Sequence, residues 1–404
     1  VSQPTPGTPS LLRAINDRAA LEVMLDRGPL TRAELAAVTG ISKPTASQLL
    51  TRLQRAGLVV AGGLREGGPG RTAELYAVNP RAAYVAGVGV TSARIAVKVA
   101  GLTGEVLGEH VLPTPGRAAG DVVARLRTAL TEALGPLRVT DLNRVVIGIG
   151  GAVNPATGRL TYAAHIPGWH IPRLVQTLSD GLGVRVQVEN DVNLIAQAEQ
   201  AHGVAAGESD FVVLWVGEGI GLASVIGGRL HRGATGGAGE VGYMPLPGAP
   251  TARELGRSAN HGMQALVGGP AVHRIMRAHG FRGHGPAEAV RAAVRALDEH
   301  GPADRRARAG AALDEVAARV ATGLTSIITV VDPALVVLTG GVLLGGGEAL
   351  RARVERELHT MSLARPPLRL SALGPEPVLD GALALALRRA QDELFASTVP
   401  AAAT

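Results

Sequence analysis

Three side chains near the middle of the chain carry the kind of acceptors that neighbouring hydroxyls need. Asn190 and Asp191 close the apolar run Val184-Arg-Val-Gln-Val, and Glu240 ends the glycine-rich stretch Gly233-Ala-Thr-Gly-Gly-Ala-Gly-Glu. A pyranose presents vicinal hydroxyls that both donate and accept, and rigidly held amides and carboxylates can read them. Asp191 has a second reading, as the N-cap of a helix over Asn193–His202, and the two roles are compatible. A different chemistry is spaced along residues 43–55. Ala46, Leu49, Leu50 and Leu53 fall at i, i+3, i+4 and i+7 and make one buried stripe. The opposite face holds Lys43, Thr45, Gln48, Thr51, Arg52 and Arg55, groups that bond phosphates or base edges. Gln48 suits adenine and Arg52 suits guanine or phosphate.

The elements that must position this second set are legible. Thr31 caps a helix and Glu34 follows at the capping-box spacing, Gly40 ends that helix, and Ile41 opens a tight turn. Ser42 caps the next helix, with Pro44 in its first turn where a missing N–H costs nothing, and Gly57 stops it. Leu58-Val-Val-Ala and Thr72-Ala-Glu-Leu-Tyr-Ala-Val then flank a glycine-rich tip containing Arg65 and Arg71. Cap, turn, basic helix and arginine-tipped hairpin stand in the order of a winged helix-turn-helix. The expected DNA-contacting residues are Arg32, Ser42, Lys43, Thr45, Ser47, Gln48, Thr51, Arg52, Arg65 and Arg71. The alternative is an amphipathic helical hairpin that meets protein, its polar face merely solvated.

Composition narrows the partners. The net charge of +6 favours a polyanion, while 2% aromatic residues argue against single strands or RNA held by stacked bases, leaving a duplex read by a helix. Cysteine is absent, which excludes disulfides and cysteine-ligated metals and agrees with a cytoplasmic protein. No apolar run reaches transmembrane length, and the first ten residues lack the pattern of a secretory signal, so no membrane role is expected. From Tyr84 onward, short apolar runs bounded by glycine alternate with helical stretches such as Gly120–Leu134 and Arg306–Val331. That texture predicts an α/β body. At 404 residues, two or three domains are expected.

The body resembles the ROK family (repressors, open reading frames and sugar kinases), and in particular its regulators of the NagC/XylR type. Four marks occur in order: Ile166-Pro-Gly-Trp, the segment from Glu189-Asn-Asp-Val-Asn to His202-Gly, Gly237-Ala-Gly-Glu-Val-Gly-Tyr-Met, and Asp332-Pro-Ala-Leu-Val-Val-Leu-Thr-Gly-Gly. With the winged helix ahead of it, the likeness covers residues 10 to about 395. It implies a two-lobed, actin-like sugar-kinase fold with sugar in the cleft. By resemblance Asp191 stands where the kinases keep their base, and Gly151 fits the loop whose backbone approaches the sugar. The implied sugar-binding set is Gly151, His165, Asn190, Asp191, Glu240, Tyr243 and Gln264, with His165 standing where the family often has asparagine.

Three departures separate this chain from the family's kinases. The first phosphate loop, Asp-x-Gly-Gly-Thr, corresponds here to Gly89-Val90-Thr91-Ser92-Ala93, which lacks the carboxylate for metal and the glycines for close wrapping. The second, Gly-Thr-Gly-Ile-Gly, becomes Gly217-Glu218-Gly219-Ile220-Gly221, placing a negative charge beside phosphates in a part-buried site. The third concerns the family's structural zinc. Tyr243 replaces its histidine, Leu255, Arg257 and Gly262 fall at the cysteine positions, and Gln264 falls at a sugar-contacting glutamate. Gly340-Gly341 is read as a requirement of the fold. No catalytic residue, metal or cofactor is therefore expected, and the segment 248–270 must be held by packing.

The expected organisation is a tail over 1–9, a winged helix-turn-helix over 10–79, a first lobe over 80–192 completed by a helix at 381–396, a second lobe over 193–380, and a tail over 397–404. The expected function is a sequence-specific DNA-binding repressor that answers to a sugar or sugar derivative. Its expected partners are a pseudo-palindromic duplex operator, the sugar, and further copies of itself as a dimer or tetramer. Two alternatives remain: a sugar kinase with an accessory DNA-binding domain, and an effector-independent DNA-binding protein with a degenerate cleft.

Overall fold

The computed structural model describes residues 9–66, 72–114, 121–154, 157–161, 166, 168–256, 260–298 and 302–396. Arg71, His165, Arg257 and both expected tails, apart from Pro9, lie outside them. The head runs α1 (Pro9–Arg27), β1 (Leu30–Thr31), α2 (Arg32–Thr39), α3 (Lys43–Arg55), β2 (Val59–Glu66) and β3 (Thr72–Val78). α1 begins at Pro9, one residue earlier than expected. Thr31 and Glu34 form the capping box, Gly40 closes α2 in the left-handed conformation, and Ser42 caps α3 by accepting from the Thr45 N–H. The α3 stripe of Ala46, Leu49, Leu50 and Leu53 is buried. A three-stranded sheet of order β1-β3-β2 carries the hairpin, with a bulge between Ala61 and Leu64.

The body continues as β4 (Tyr84–Val90), β5 (Arg94–Gly101), β6 (Val106–Pro113), α4 (Val122–Leu134), β7 (Leu142–Ile149), β8 (Ala152–Val153), β9 (Leu160–Thr161), α5 (Leu174–Leu182), β10 (Arg185–Asn190) and α6 (Asp191–His202). Next come β11 (Phe211–Val216), β12 (Ile220–Ile226), β13 (Arg229–His231), α7 (Ala252–Leu255), α8 (Gly262–Val267), α9 (Gly269–Ala278), α10 (Pro286–Asp298), α11 (Ala303–Val331), β14 (Leu335–Thr339), α12 (Gly341–Met361), β15 (Leu368–Leu370) and α13 (Pro377–Ala396). Two five-stranded sheets result, of order β10-β7-β4-β5-β6 and β13-β12-β11-β14-β15.

Two compact units divide the chain: Val1–Ile147 with Val175–Gln187 and Ala382–Thr404, and Gly148–Leu174 with Val188–Gly381. The division falls within β7, α5, β10 and α13 rather than in the loops between elements. In the first unit, the valines of β4 and β5 and the Leu126 and Leu130 side chains of α4 are buried. In the second, β11 and β14 pair in parallel with every residue of β14 buried, as a central strand covered on both faces requires. Gly340 there has φ of +90°, and a Cβ would lie 2.5 Å from the Val216 carbonyl oxygen, so this glycine is a demand of packing.

One ion pair ties the head together. Asp17 of α1 has only 3% of its side chain exposed, and it accepts from the Arg52 guanidinium of α3 through Nε at 3.2 Å and through a terminal nitrogen. Arg52→Ala would strand that carboxylate in the core and cost about 3 kcal/mol of stability. Lys43→Ala, on the exposed face, should stay within roughly 0.5 kcal/mol of the parent. Urea denaturation of the two variants tests the contrast, and equal stabilities would show that the Arg52 pair contributes nothing to the fold.

Candidate functional site

Two sites were expected, and the head's is clearest along α3. Lys43 and Gln48 are exposed, with no side-chain partner among the described residues. Ser47 is part-exposed beside them. The other candidates have work within the protein. Ser42 and Thr45 share a hydroxyl–hydroxyl bond of 2.8 Å, and the Thr51 hydroxyl donates to the Ser47 carbonyl at 3.0 Å. Arg32 donates to the Tyr76 hydroxyl at 2.8 Å and lies 5.8 Å over its ring, while the Tyr76 hydroxyl donates to Glu74 at 2.6 Å. Arg65 pairs with Glu34, whose carboxyl is held below the usual range by the Thr31 N–H, the Thr31 hydroxyl and then Arg65. Arg52 is committed to Asp17. The three described arginines expected at DNA thus brace the helices and hairpin, and any meeting with a phosphate must share or break those bonds.

The second site is a cavity of about 410 Å³ in the second unit. Gly151, Asn190, Asp191, Glu240, Tyr243 and Gln264 all line it, as six of the seven expected sugar contacts. The seventh, His165, lies outside the described residues. Asn190, not Asp191, is the N-cap of α6, accepting from the Asn193 N–H at 3.0 Å. Its amide donates to the Gly151 carbonyl at 3.0 Å, so it locks the glycine loop to the strand end. Asp191 then sits in the first turn, one oxygen accepting from the Val192 N–H at 2.8 Å. Glu189, which the sequence reading passed over, is 6% exposed and organises this junction. One of its oxygens accepts from the Asn190 N–H at 3.1 Å and the Asn193 amide at 2.9 Å, and the other accepts from Arg232 at 2.6 and 2.8 Å. An acidic residue continuing a buried apolar strand was the signal that could have singled it out.

Trp215, Glu218, Asn260 and His261 also line the cavity. Glu218 is exposed, so its charge faces water and the repulsion of a phosphate there is weaker than a part-buried position implies. In the loop that holds it, the Gly217 N–H is bound to the Gly219 carbonyl at 3.0 Å. The other loop, between β4 and β5, is closed more firmly. The Thr91 hydroxyl accepts from the Ala93 and Arg94 N–H groups at 3.2 and 3.1 Å. The Thr91 N–H itself donates to the Arg94 carbonyl at 3.0 Å. The Thr91, Ala93 and Arg94 amides of this turn are thus already engaged.

The described parts of the 248–270 segment, 248–256 and 260–270, are held by packing and backbone bonds. Met263 is fully buried in the core of the second unit, the Gly262 and Met263 N–H groups donate to Pro250 and Met244 carbonyls at 2.9 Å each, and Thr251 forms a capping box with Glu254. Gln264 donates to the Glu218 carbonyl at 3.3 Å.

Burial, and then the neighbouring Asp191 charge, push the Glu240 carboxyl up from 4.5 to about 7. Between those two pH values the unfolded chain has released this proton while the folded chain keeps it. Raising the pH through that window therefore draws the equilibrium toward the unfolded state. Melting curves from pH 4 to 8 should show a loss of stability across the window that Glu240→Gln lacks; parallel curves for the two proteins would remove the carboxyl from this role.

Known proteins agree with both halves. A MarR family model matches residues 16–71 and a ROK family model matches residues 85–389. A putative xylose repressor from Caldicellulosiruptor sp. (strain Rt8B.4) is 28% identical over 243 residues, 59% of this chain and 61% of that protein. The DNA-binding transcriptional dual regulator NagC from Escherichia coli (strain K12) is 23% identical over 244 residues, 59% of each. The matches thus span about three fifths of the length of these curated relatives. Among solved structures, a ROK family transcriptional regulator, homologous to the Escherichia coli MLC protein, superposes with a TM-score of 0.73 at 18% identity, over 96% of this chain and 99% of that one. A ROK hexokinase from Thermus thermophilus gives a TM-score of 0.62 at 30% identity, over 76% of this chain and 99% of that one. The fold is accordingly a winged helix-turn-helix followed by a sugar-kinase-like body, and the chain belongs to the ROK family.

Proposed function

We propose that this protein is a sequence-specific transcriptional repressor whose DNA binding answers to a sugar or sugar derivative held by Asn190, Asp191 and Glu240. The observation that carries the reading is the pairing, in one chain, of an exposed Lys43–Gln48 face on a capped recognition helix with a cavity built for hydroxyls. Relatives named as xylose repressor and NagC support it. The ligand acts through its different affinity for the DNA-competent and DNA-incompetent states, the only way a bound molecule can shift such an equilibrium. The partners are a pseudo-palindromic duplex and a second copy of the chain, as a dimer or tetramer, in the cytoplasm. No helix among the described residues is long and apolar enough to cross a membrane.

The protein is proposed to be a non-enzyme that uses neither ATP nor zinc. The competing kinase reading draws on the likeness to the hexokinase. Against it stand the turn whose Thr91, Ala93 and Arg94 amides are engaged internally, and the missing carboxylate for a metal ion.

Thermal melts against hexoses, pentoses, amino sugars, sugar phosphates and ATP with Mg²⁺ separate the readings. A sugar that raises the melting temperature, with no response to ATP, is expected, because binding to the native state stabilises it by mass action. An ATP response together with turnover in a coupled assay would replace the repressor with a kinase. On DNA fragments selected from a genomic pool, Gln48→Ala should weaken binding by about 1–3 kcal/mol and relax the preference at one base position. Unchanged selectivity would remove α3 from the recognition role.

A further inference from the structure

The imidazole of His261 has no hydrogen-bond partner among the described residues. His261 is 7% exposed and lines the cavity. It occupies the N-cap position of α8 without a side-chain capping bond, and no hydrogen bond to its ring exists among the described residues. Its neighbour is the Tyr243 ring, with centroids 5.4 Å apart and planes tilted by 54°. A ring nitrogen that no group of the described residues engages is available to a ligand entering the cavity.

Its position is fixed by the backbone. Gly262 has φ of +60°, and a Cβ there would come within 2.6 Å of the Met244 carbonyl oxygen and 2.9 Å of the Tyr243 carbonyl carbon. Only glycine lets the chain approach the Tyr243 segment this closely. The Gly262 and Met263 N–H bonds to Pro250 and Met244 then clamp the chain immediately after His261. The imidazole is thereby held at the wall shared by Tyr243, Asn260 and Gln264, in the same cavity as Asp191 and Glu240.

We propose that His261 is a specificity-determining contact of this cavity, its free ring nitrogen bonding a hydroxyl of an unphosphorylated sugar while the Tyr243 ring sets its tilt. This rests on reading the cavity as the effector site. Among the described lining residues His261 is the one base, whereas Asp191, Glu218 and Glu240 are acids. Carboxylates accept hydrogen bonds from hydroxyls, and the imidazole adds an N–H that donates to a hydroxyl oxygen. A phosphate or carboxylate on the sugar would meet the Asp191 carboxylate, which a neutral hydroxyl does not oppose. The sequence alone did not place His261 here, because it stands at a position where the zinc-binding pattern has glycine.

The test is isothermal titration of the full chain with D-xylose, D-glucose, D-glucosamine, N-acetyl-D-glucosamine and glucose 6-phosphate, backed by melts without ligand. The parent should bind at least one unphosphorylated sugar. His261→Ala should weaken that sugar roughly tenfold, the loss of one hydrogen bond to a ligand, and His261→Gln should recover part of it. The ligand-free melting temperatures should match the parent. Unchanged affinity in His261→Ala overturns the contact while leaving the cavity reading intact, and equal binding of glucose 6-phosphate overturns the ligand class. A ligand-free melting temperature lowered alike in both variants, with sugar affinity retained, makes the ring a packing element and also overturns it. No response of the parent to any sugar overturns the cavity reading and this contact with it.

Discussion

The cavity depends on one buried carboxylate. Glu189 ends β10 inside the protein, where an unpaired charge is costly, and it is made tolerable by four donors from three residues. Arg232 neutralises it across the second unit, while the Asn190 N–H and the Asn193 amide tie it to the first turn of α6. The strand-to-helix junction is held from beneath, so Asn190 can spend its side chain on capping the helix and on gripping Gly151. Asp191 is left at the cavity wall at a fixed height. The polar residues that face a ligand are as rigid as the buried bonds behind them.

The head uses arginine in a similar manner. Arg32, Arg52 and Arg65 each satisfy an acceptor of the domain itself, so charge that raises attraction to a polyanion also holds the helices and the hairpin in register. Lys43 and Gln48 project from the face that those pairs steady. Such pairing stiffens the head, because each bond fixes one element against another. Arg18 extends the arrangement, pairing with Glu22 on its own helix and with Asp392 of α13 at 2.7 Å each.

The chain resembles relatives of two kinds, named as repressors and as a hexokinase. In the Thr91 turn, a hydroxyl two residues ahead does for the turn amides what a phosphate would otherwise do, which makes the turn self-sufficient. Asn190, Asp191 and Glu240 line the cavity of the second unit.

Much of this was legible in the chain. Caps, stripe and turn of the head are local: each depends on residues within about four positions of one another, and local spacing is what a sequence displays directly. The α/β texture and the run of ROK marks placed six of the cavity's residues for the same reason, since Asn190-Asp191 and Gly239-Glu240 sit at element ends that the pattern marks. Tertiary structure decided what those groups are free to do. That Arg52 is spent on Asp17, 35 positions away, and Glu189 on Arg232, 43 away, follows from packing that no spacing announces. The same holds for His261, brought against Tyr243 by a glycine whose positive φ is set by the carbonyls it must pass. Sequence determines which groups are present and on which element, but a pair between distant elements exists only once burial has removed water as the competing partner.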